Sequence, residues 1–248
     1  MDDKNQQLLQ NVIAKAQTWL TDGYDQETQD EVRRMLEADD KTELVDSFYK
    51  DLEFGTGGLR GIMGAGSNRM NIYTVGMATQ GLSNYLKDAF ADLDQIKVVV
   101  GCDVRNNSTK FAKIVADIFS ANGIKVYLFD APRPTPETSF AIRLLGCQSG
   151  VIITASHNPK EYNGYKAYWN DGAQMISPHD TKTIEYVNKV TSVDQIKFKG
   201  DDNLIEIIGE NIDKQYIDQI TTLSLSPDVI ARHHDLKIVY TPIHGTGK

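Results

Sequence analysis

Apolar residues recur every three or four positions through the first fifty residues. Leu8, Leu9, Val12, Ile13, Ala16, Trp19 and Leu20 share one face with polar residues between them, the spacing of an amphipathic helix. Shorter patterns of the same period come next around Val32, Met35 and Leu36, and at Leu44, Val45 and Phe48. Nothing here alternates as a strand does, so residues 1–50 are read as a helical extension packed on the domain after it. The character changes at Phe54. The segment FGTGGLRGIMGAGSNRMN holds six glycines and two short runs that could pair as a hairpin. Ala78, Leu82, Tyr85, Leu86 and Ala89 then mark one face of a helix.

A different rhythm begins at Ile96. Ile96 to Val100 is an apolar run interrupted only by Lys97, the mark of a strand buried on both faces. Ser108 is placed to N-cap a helix whose apolar face is Phe111, Ile114, Val115, Ile118 and Phe119, with Gly123 as its C′ residue. Lys125 to Phe129 is a second strand. Thr135 and Pro136 supply an N-cap and a first-turn proline for a helix ending near Gly146. Gly150 to Ile153 completes a β-α-β-α-β series, which argues for a parallel sheet with right-handed crossovers.

Asn163-Gly164, between Tyr162 and Tyr165, reads as a two-residue hairpin turn. Ser177-Pro178, with Asp180 behind it, opens another helix, and Ile212 to Leu223 forms one more. Leu236 to Tyr240 is an apolar run read as a strand, either opening a second α/β unit or joining the first sheet's edge. The expected fold is therefore α/β, a mixed, largely parallel sheet between helices. The expected order is a helical extension (1–50), an α/β domain (51–205), a linker helix (206–235) and the start of a second domain (236–248).

Composition narrows the class without changing this picture. The 248 residues are 40% hydrophobic and 24% charged, as in ordinary globular proteins. No apolar run approaches membrane-spanning length, and MDDKNQQLLQ has no apolar core of a secretory signal, so the cytoplasm is the expected compartment. Two cysteines, Cys102 and Cys147, read as small buried thiols rather than a disulfide. A net charge of −8 argues against a nucleic-acid partner, which needs clustered Lys and Arg, but leaves room for a small anion held by a few local cations. Nothing in the sequence addresses oligomeric state.

Open parallel sheets bind ligands beyond the carboxyl ends of their strands. That rule selects Gly101 to Asn107 (GCDVRNN), Asp130 to Pro134, and Thr154 to Gly164 (TASHNPKEYNG). Ser156 follows a buried strand directly, so its hydroxyl projects from a rigid support, with His157, Asn158 and Lys160 as possible donors beside it. Taken by residues alone, the loop is either a functional serine site or a polar turn whose hydroxyls cap their own backbone. A hydrolase nucleophile is disfavoured, because no G-x-S-x-G elbow is present.

The motif TASHNP at Thr154–Pro159 resembles the phosphoserine signature of the α-D-phosphohexomutases, the family of phosphoglucomutases and phosphomannomutases. EYNGYKAYW is similar to that family's continuation, where a lysine follows the serine by ten residues, here Lys166. FGTGGLRG at Phe54–Gly61 resembles its N-terminal motif, with the arginine at Arg60. GCDVR is similar to its Gly-x-Asp-x-Arg, placing Asp103 and Arg105 at the mouth of the site, and YTPIHGTG looks like the opening of its second domain. The extension and the wording of FGTGGLRG resemble most the branch with phosphoglucomutase-2 and phosphopentomutase-like enzymes.

The resemblance implies an isomerase that moves a phosphoryl group between the C1 and C6 hydroxyls of a hexose phosphate, glucose 1- and 6-phosphate first. It implies a phosphate on Ser156 and a sugar bisphosphate as intermediate and primer. Phosphomannomutase, phosphopentomutase and a non-catalytic sugar-phosphate-binding module are the alternatives. Arg60 and Lys166 are the implied cations and proton handlers, and they are expected to face Ser156 across one cleft. His157 would bond a phosphate oxygen or stabilise the loop; Thr154, Asn158, Asp103 and Arg105 would support the loop or touch substrate. His179, His233 and His234 read as surface residues. Magnesium is the implied metal, with the Ser156 phosphate as this chain's ligand. The family's metal loop, sugar loop and last domain are not found before Lys248, which implies an N-terminal fragment that is inactive alone.

Overall fold

The computed structural model describes residues 3–55 and 57–241. Three helices come first: α1 (Asp3–Gln17), continued by a 3₁₀ turn over Thr18–Leu20, α2 (Gln26–Glu37) and α3 (Thr42–Phe48). Their apolar faces close on one another through Val12, Trp19, Val32, Met35, Leu44 and Phe48, and onto Ala65 and Tyr73 of the following domain. Residues 1–50 are thus helical in their described part and dock on the α/β unit, as their periodicity predicts.

The sheet has six strands in the order β1-β5-β4-β2-β3-β6, formed by Gly58–Ile62 (β1), Lys97–Cys102 (β2), Lys125–Phe129 (β3), Ser149–Ile153 (β4), Tyr162–Trp169 (β5) and Ile205–Ile208 (β6). β4, β2, β3 and β6 are mutually parallel, and β5 runs antiparallel to both β4 and β1. α4 (Ile72–Ala89), α5 (Ser108–Ala121) and α7 (His179–Val187) cover one face, packing on Val98, Val100, Val151, Ile153 and Tyr165. α6 (Thr135–Leu144) and α8 (Glu210–Thr221) cover part of the other, over Val99, Phe129 and Ile152. Strands buried on both sides have no polar face, which is why β2 and β4 read as continuous apolar runs.

Several local readings are corrected. The glycine-rich segment does not form a two-stranded hairpin; it makes only isolated bridges, Gly55 with Gly58 and Met63 with Met70, and its one strand, β1, pairs with β5. Asn163-Gly164 is not a turn; both residues lie inside β5, and the chain reverses through residues 154–161. Gly164 is needed there for closeness, since a Cβ would stand 2.5 Å from the carbonyl oxygen of Thr154 and 3.0 Å from that of Leu59. Ser108 does not cap α5. The cap position is Asn107, left-handed at φ 61°, and the Ser108 hydroxyl is used elsewhere. At α6 the cap is Pro134, one residue early, and α7 starts from Pro178 without a side-chain cap.

His179 is half-buried rather than free on the surface. It stacks on Trp169 at 3.9 Å between ring centres and hydrogen-bonds the Tyr85 hydroxyl at 2.7 Å. His233 and His234 are exposed. Cys102 and Cys147 are buried and unbridged. Ile205, the expected end of the α/β domain, opens β6, and α8 packs back on α6 through Phe140 and Tyr216. A short helix, α9 (Pro227–Arg232), follows, and Leu236–Tyr240 form no strand; Leu236, Ile238, Val239 and Tyr240 are exposed. The rest of the expected second-domain opening, 242–248, lies outside the described residues, as does Thr56 of the FGTGGLRG segment. No helix among the described residues is long and apolar enough to cross a membrane.

Candidate active site

The ends of β4 and β2 are neighbours in the sheet, so the loops that follow them meet. β4 delivers Thr154 and Ala155, both buried, and then Ser156, half-buried with its backbone in the left-handed region at φ 55°. A non-glycine residue there costs on the order of 1 kcal/mol and persists only where its surroundings enforce it. The enforcing contacts run in a chain. The Ser156 amide donates to Thr154 Oγ1 at 3.0 Å, and that hydroxyl donates to Asp103 Oδ2 at 2.6 Å. Asp103 is itself buried and accepts from the Arg105 amide at 3.0 Å and the Ser108 hydroxyl at 2.8 Å.

Arg105 clamps the serine loop from its other side. Nη2 donates to the carbonyl oxygens of Ser156 (2.7 Å) and Asn158 (2.5 Å), and Nη1 to those of Pro159 (2.9 Å) and Tyr162 (3.3 Å). Nε stands 3.5 Å from Asp103 Oδ2, an ion pair outside hydrogen-bond geometry. The guanidinium is therefore spent on backbone carbonyls and a buried carboxylate. Both Asp103 and Arg105 face the loop that carries the serine.

Lys166 reaches the serine from β5. Its Nζ donates to Ser156 Oγ at 2.9 Å. Register explains the meeting: Lys166 stands opposite Ile152 on β4, four residues before Ser156, and the loop folds back above them. Burial pushes the Lys166 ammonium below the ordinary lysine range; Arg60 lowers it further, and Asp103 opposes the shift. Arg60 lies opposite Gly164 and Lys166 opposite Gly58, so both side chains leave the same face of the β1–β5 pair, diagonal to one another. The two cations line a cavity of about 350 Å³ together with Glu53, Gly57 and Gln174. Among the described residues neither forms an ion pair with a carboxylate, although Glu53 lines the same cavity.

His157 is exposed beside the serine, and Asn158 is half-buried with Oδ1 shut off from water and without a partner. Two contributors are absent from the sequence reading. Asn163, fully buried, donates from Nδ2 to Asn106 O and Ser108 Oγ, both at 3.0 Å, and its Oδ1 accepts from the Gly164 amide at 2.8 Å. Ser108 thus links Asn163 to Asp103. The Asn-Gly pair hid the first because its turn signal is so strong, and the capping signal hid the second. A larger cavity of about 660 Å³, lined by Leu8, Leu9, Val45 and Tyr49, lies between α1 and α3, away from every one of these groups.

Fold and site together define a phosphosugar-mutase type of α/β domain. Residues 51–194 match the family model described as phosphoglucomutase/phosphomannomutase, alpha/beta/alpha domain I, and the chain belongs to that family. It is 41% identical over 204 residues to a phosphoglucomutase of Staphylococcus haemolyticus, covering 81% of this chain and 36% of that protein. It is 36% identical over 241 residues to a human phosphopentomutase, covering 92% of this chain and 39% of the relative. Among solved structures, a provisionally assigned phosphomannomutase of Thermus thermophilus superposes with a TM-score of 0.55 at 27% identity, covering 64% of this chain and 33% of that one. The chain thus spans well under half the length of these relatives.

Proposed function

We propose that this chain carries the phosphoserine part of a phosphosugar mutase acting between the C1 and C6 hydroxyls of a hexose phosphate, with glucose 1- and 6-phosphate as the first substrates to test. The observation behind the reading is the hydrogen bond from Lys166 to a serine held in a strained backbone by Asp103, Thr154 and Arg105. Phosphoryl transfer is catalysed mainly by positioning and charge stabilisation, and both are provided for here. With phosphate on Ser156 Oγ, a sugar hydroxyl oxygen attacks phosphorus and gives up its proton to water, the P–Oγ bond breaks, and Lys166 gives a proton to Oγ. In the opposite transfer Oγ attacks the other phosphorus of the bisphosphate as neutral Lys166 takes the serine proton, that phosphorus–sugar oxygen bond breaks, and the freed sugar oxygen takes a proton from water. Arg60 neutralises charge on the transferring group and favours the neutral amine. Lys166 suits the base role better than Arg60, because an arginine scarcely deprotonates.

His157, exposed at the serine's side, would bond a phosphate oxygen, and Asn158 supports the loop through its backbone. Magnesium is part of the proposal. A phosphate on Ser156 would give it one oxygen ligand, the kind a hard cation prefers. Among the described residues no three carboxylates, imidazoles or thiols converge as a metal site, and no step here runs through the ion. The remaining ligands, the sugar-reading loop and the rest of the enzyme would come from a longer protein in the cytoplasm, and residues 1–248 alone are expected not to turn over.

A pentose phosphate is the competing substrate, because one of the matched relatives is a phosphopentomutase. The test is peptide mapping of freshly purified full-length protein, combined with turnover of glucose 1-phosphate and ribose 1-phosphate in the presence of magnesium and the matching bisphosphate. Phosphate on Ser156 and loss of turnover in Ser156→Ala are expected. A fully active Ser156→Ala variant, or stable phosphate at another residue, defeats the reading. Faster ribose phosphate turnover replaces only the choice of sugar.

A further inference from the structure

The chain turns back after β5, and the returning segment lies beside the cleft. The Trp169 amide donates to the Ala173 carbonyl oxygen at 3.0 Å, and the Met175 amide to that of Ala167 at 2.9 Å. The Ala167 amide donates to the Gly57 carbonyl oxygen at 2.8 Å, so Gly57 and the returning segment share one edge of β5. Gln174 stands there, bridged to Tyr168 in antiparallel fashion. Directly paired residues share a face of the sheet, and so do residues two apart on one strand. Tyr168 is two residues beyond Lys166, and Arg60 is paired with Gly164, two residues before it. Arg60, Lys166 and Gln174 therefore leave the same face of the sheet, and they line the same cavity of about 350 Å³.

We infer that the Gln174 amide reads a hydroxyl of the sugar in this cleft, an assignment that rests on the mutase reading above. Gln174 is exposed where it lines the cavity, and among the described residues its side-chain amide makes no hydrogen bond. Packing holds the side chain in place and leaves its polar end unused. A Cβ on Gly57 would stand 2.6 Å from Gln174 Nε2 and 2.9 Å from its Cγ, so the side chain lies on the bare backbone of a glycine in the left-handed region, at φ 72°. Next to it, Met175 is buried in the core and anchors the returning segment.

The chemistry of the amide differs from that of the two cations. Phosphate oxygens accept hydrogen bonds, and Arg60 and protonated Lys166 only donate them. A carboxamide both donates and accepts, which matches a hydroxyl; toward a phosphate its Oε1 has nothing to accept. Glu53, the one carboxylate among the described lining residues, is also an acceptor. A sugar phosphate in this cleft turns its phosphate to the cations and brings a hydroxyl to the amide. Removing that hydroxyl leaves the amide without its partner, which is how a hydrogen-bonding site rejects an analogue. Gln174 is thus a specificity-determining residue, separate from the groups that handle phosphoryl transfer.

Turnover by the full-length protein tests this, with glucose 1-phosphate, or ribose 1-phosphate where that is faster, and the deoxy analogues that each lack one hydroxyl. Gln174→Ala is expected to lower kcat/KM about tenfold, the upper range for one neutral hydrogen bond. One deoxy analogue should lose about tenfold in the parent but about twofold or less in the variant, while the other analogues lose equally in both. Gln174→Leu keeps a side chain against Gly57 without the hydrogen bond, so it should repeat the pattern even where alanine disturbs the loop. Parent-like kcat/KM in both variants overturns the inference. So does a loss that is the same for every analogue, which would make Gln174 a support of the loop. Either result leaves the mutase reading standing while the parent turns over with phosphate on Ser156. A parent that does neither overturns that reading, and this inference with it.

Discussion

Arg105 hydrogen-bonds the carbonyl oxygen of Ser156 at 2.7 Å across 51 residues of sequence. The same guanidinium reaches three further carbonyls of the loop, so the serine's backbone hangs from one planar fork. Lysine offers a point charge without that geometry. Arg105→Lys is therefore expected to leave the sheet intact and loosen the loop. Stability should drop by about 1–3 kcal/mol in urea titration, the cost of leaving buried acceptors unpaired. Turnover of the full-length protein should fall about 100-fold, the scale of a 1 Å misplacement. Parent-like turnover would remove Arg105 from the positioning role.

Lys166 lies below its ordinary range through burial first and the Arg60 charge second. A step that needs its neutral amine speeds up as pH rises, and levels off at a lower pH than a free lysine would give. Replacing Arg60 by glutamine removes the neighbouring positive charge, so the rising limb should move to higher pH. Lys166→Arg keeps the charge but not the deprotonation, and the limb should disappear with most of the activity, about 100-fold or more. The pH-rate profiles of the three full-length proteins decide the matter. A limb unmoved by Arg60→Gln would show that another group titrates.

Gly164 marks where three stretches of backbone touch. An alanine Cβ there would press on the carbonyl oxygens of Thr154 and Leu59, neither of which ends a flexible side chain. Gly164→Ala should cost about 1–3 kcal/mol or more by overpacking. Thermal unfolding measures the loss. Hydrogen exchange should place it in β1 and β5, and an unshifted midpoint would mean the strands separate freely there.

The extension is pinned to the domain by Asp25 and Tyr73. The Asp25 amide donates to the Tyr73 hydroxyl at 2.6 Å, and that hydroxyl donates to Asp25 Oδ2 at 2.8 Å. Burial pushes the Asp25 carboxyl up, but hydrogen bonds from Thr28 and Tyr73 outweigh it and leave it below the usual carboxylate range. Its stabilisation is present above the unfolded value and is lost as pH falls through the folded one. Tyr73→Phe should cost about 1–2 kcal/mol at neutral pH and less in acid. Unfolding curves at pH 7 and pH 3 test both parts; an equal loss at the two pH values would separate the hydroxyl from the carboxylate.

Much of this architecture is legible in the order of residues because local physics dictates it. β2, β3 and β4 are apolar runs long enough to be strands and too short to be helices, with caps and glycines between them. Their carboxyl ends mark the loops of Asp103, Arg105 and Ser156 as the ligand side of the sheet. The motif resemblance added Arg60 and Lys166, which no periodicity marks.

Other features were decided only by pairing over distance. Whether Asn163-Gly164 turns or extends depends on what lies beside it, and β1 and β4 on either side hold it straight. Ser108 was free to cap its own helix, yet a buried carboxylate from the loop after β2 and an amide from β5 claim its hydroxyl. Leu236–Tyr240 has the composition of a strand but finds no neighbour among the described residues, and a strand without a partner leaves its backbone groups unpaired. Hydrophobic period and turn chemistry act within a few residues and can be read in order. Hydrogen-bond partners and shifted pKa values depend on which buried groups the fold brings face to face, and that is settled by the sheet's register.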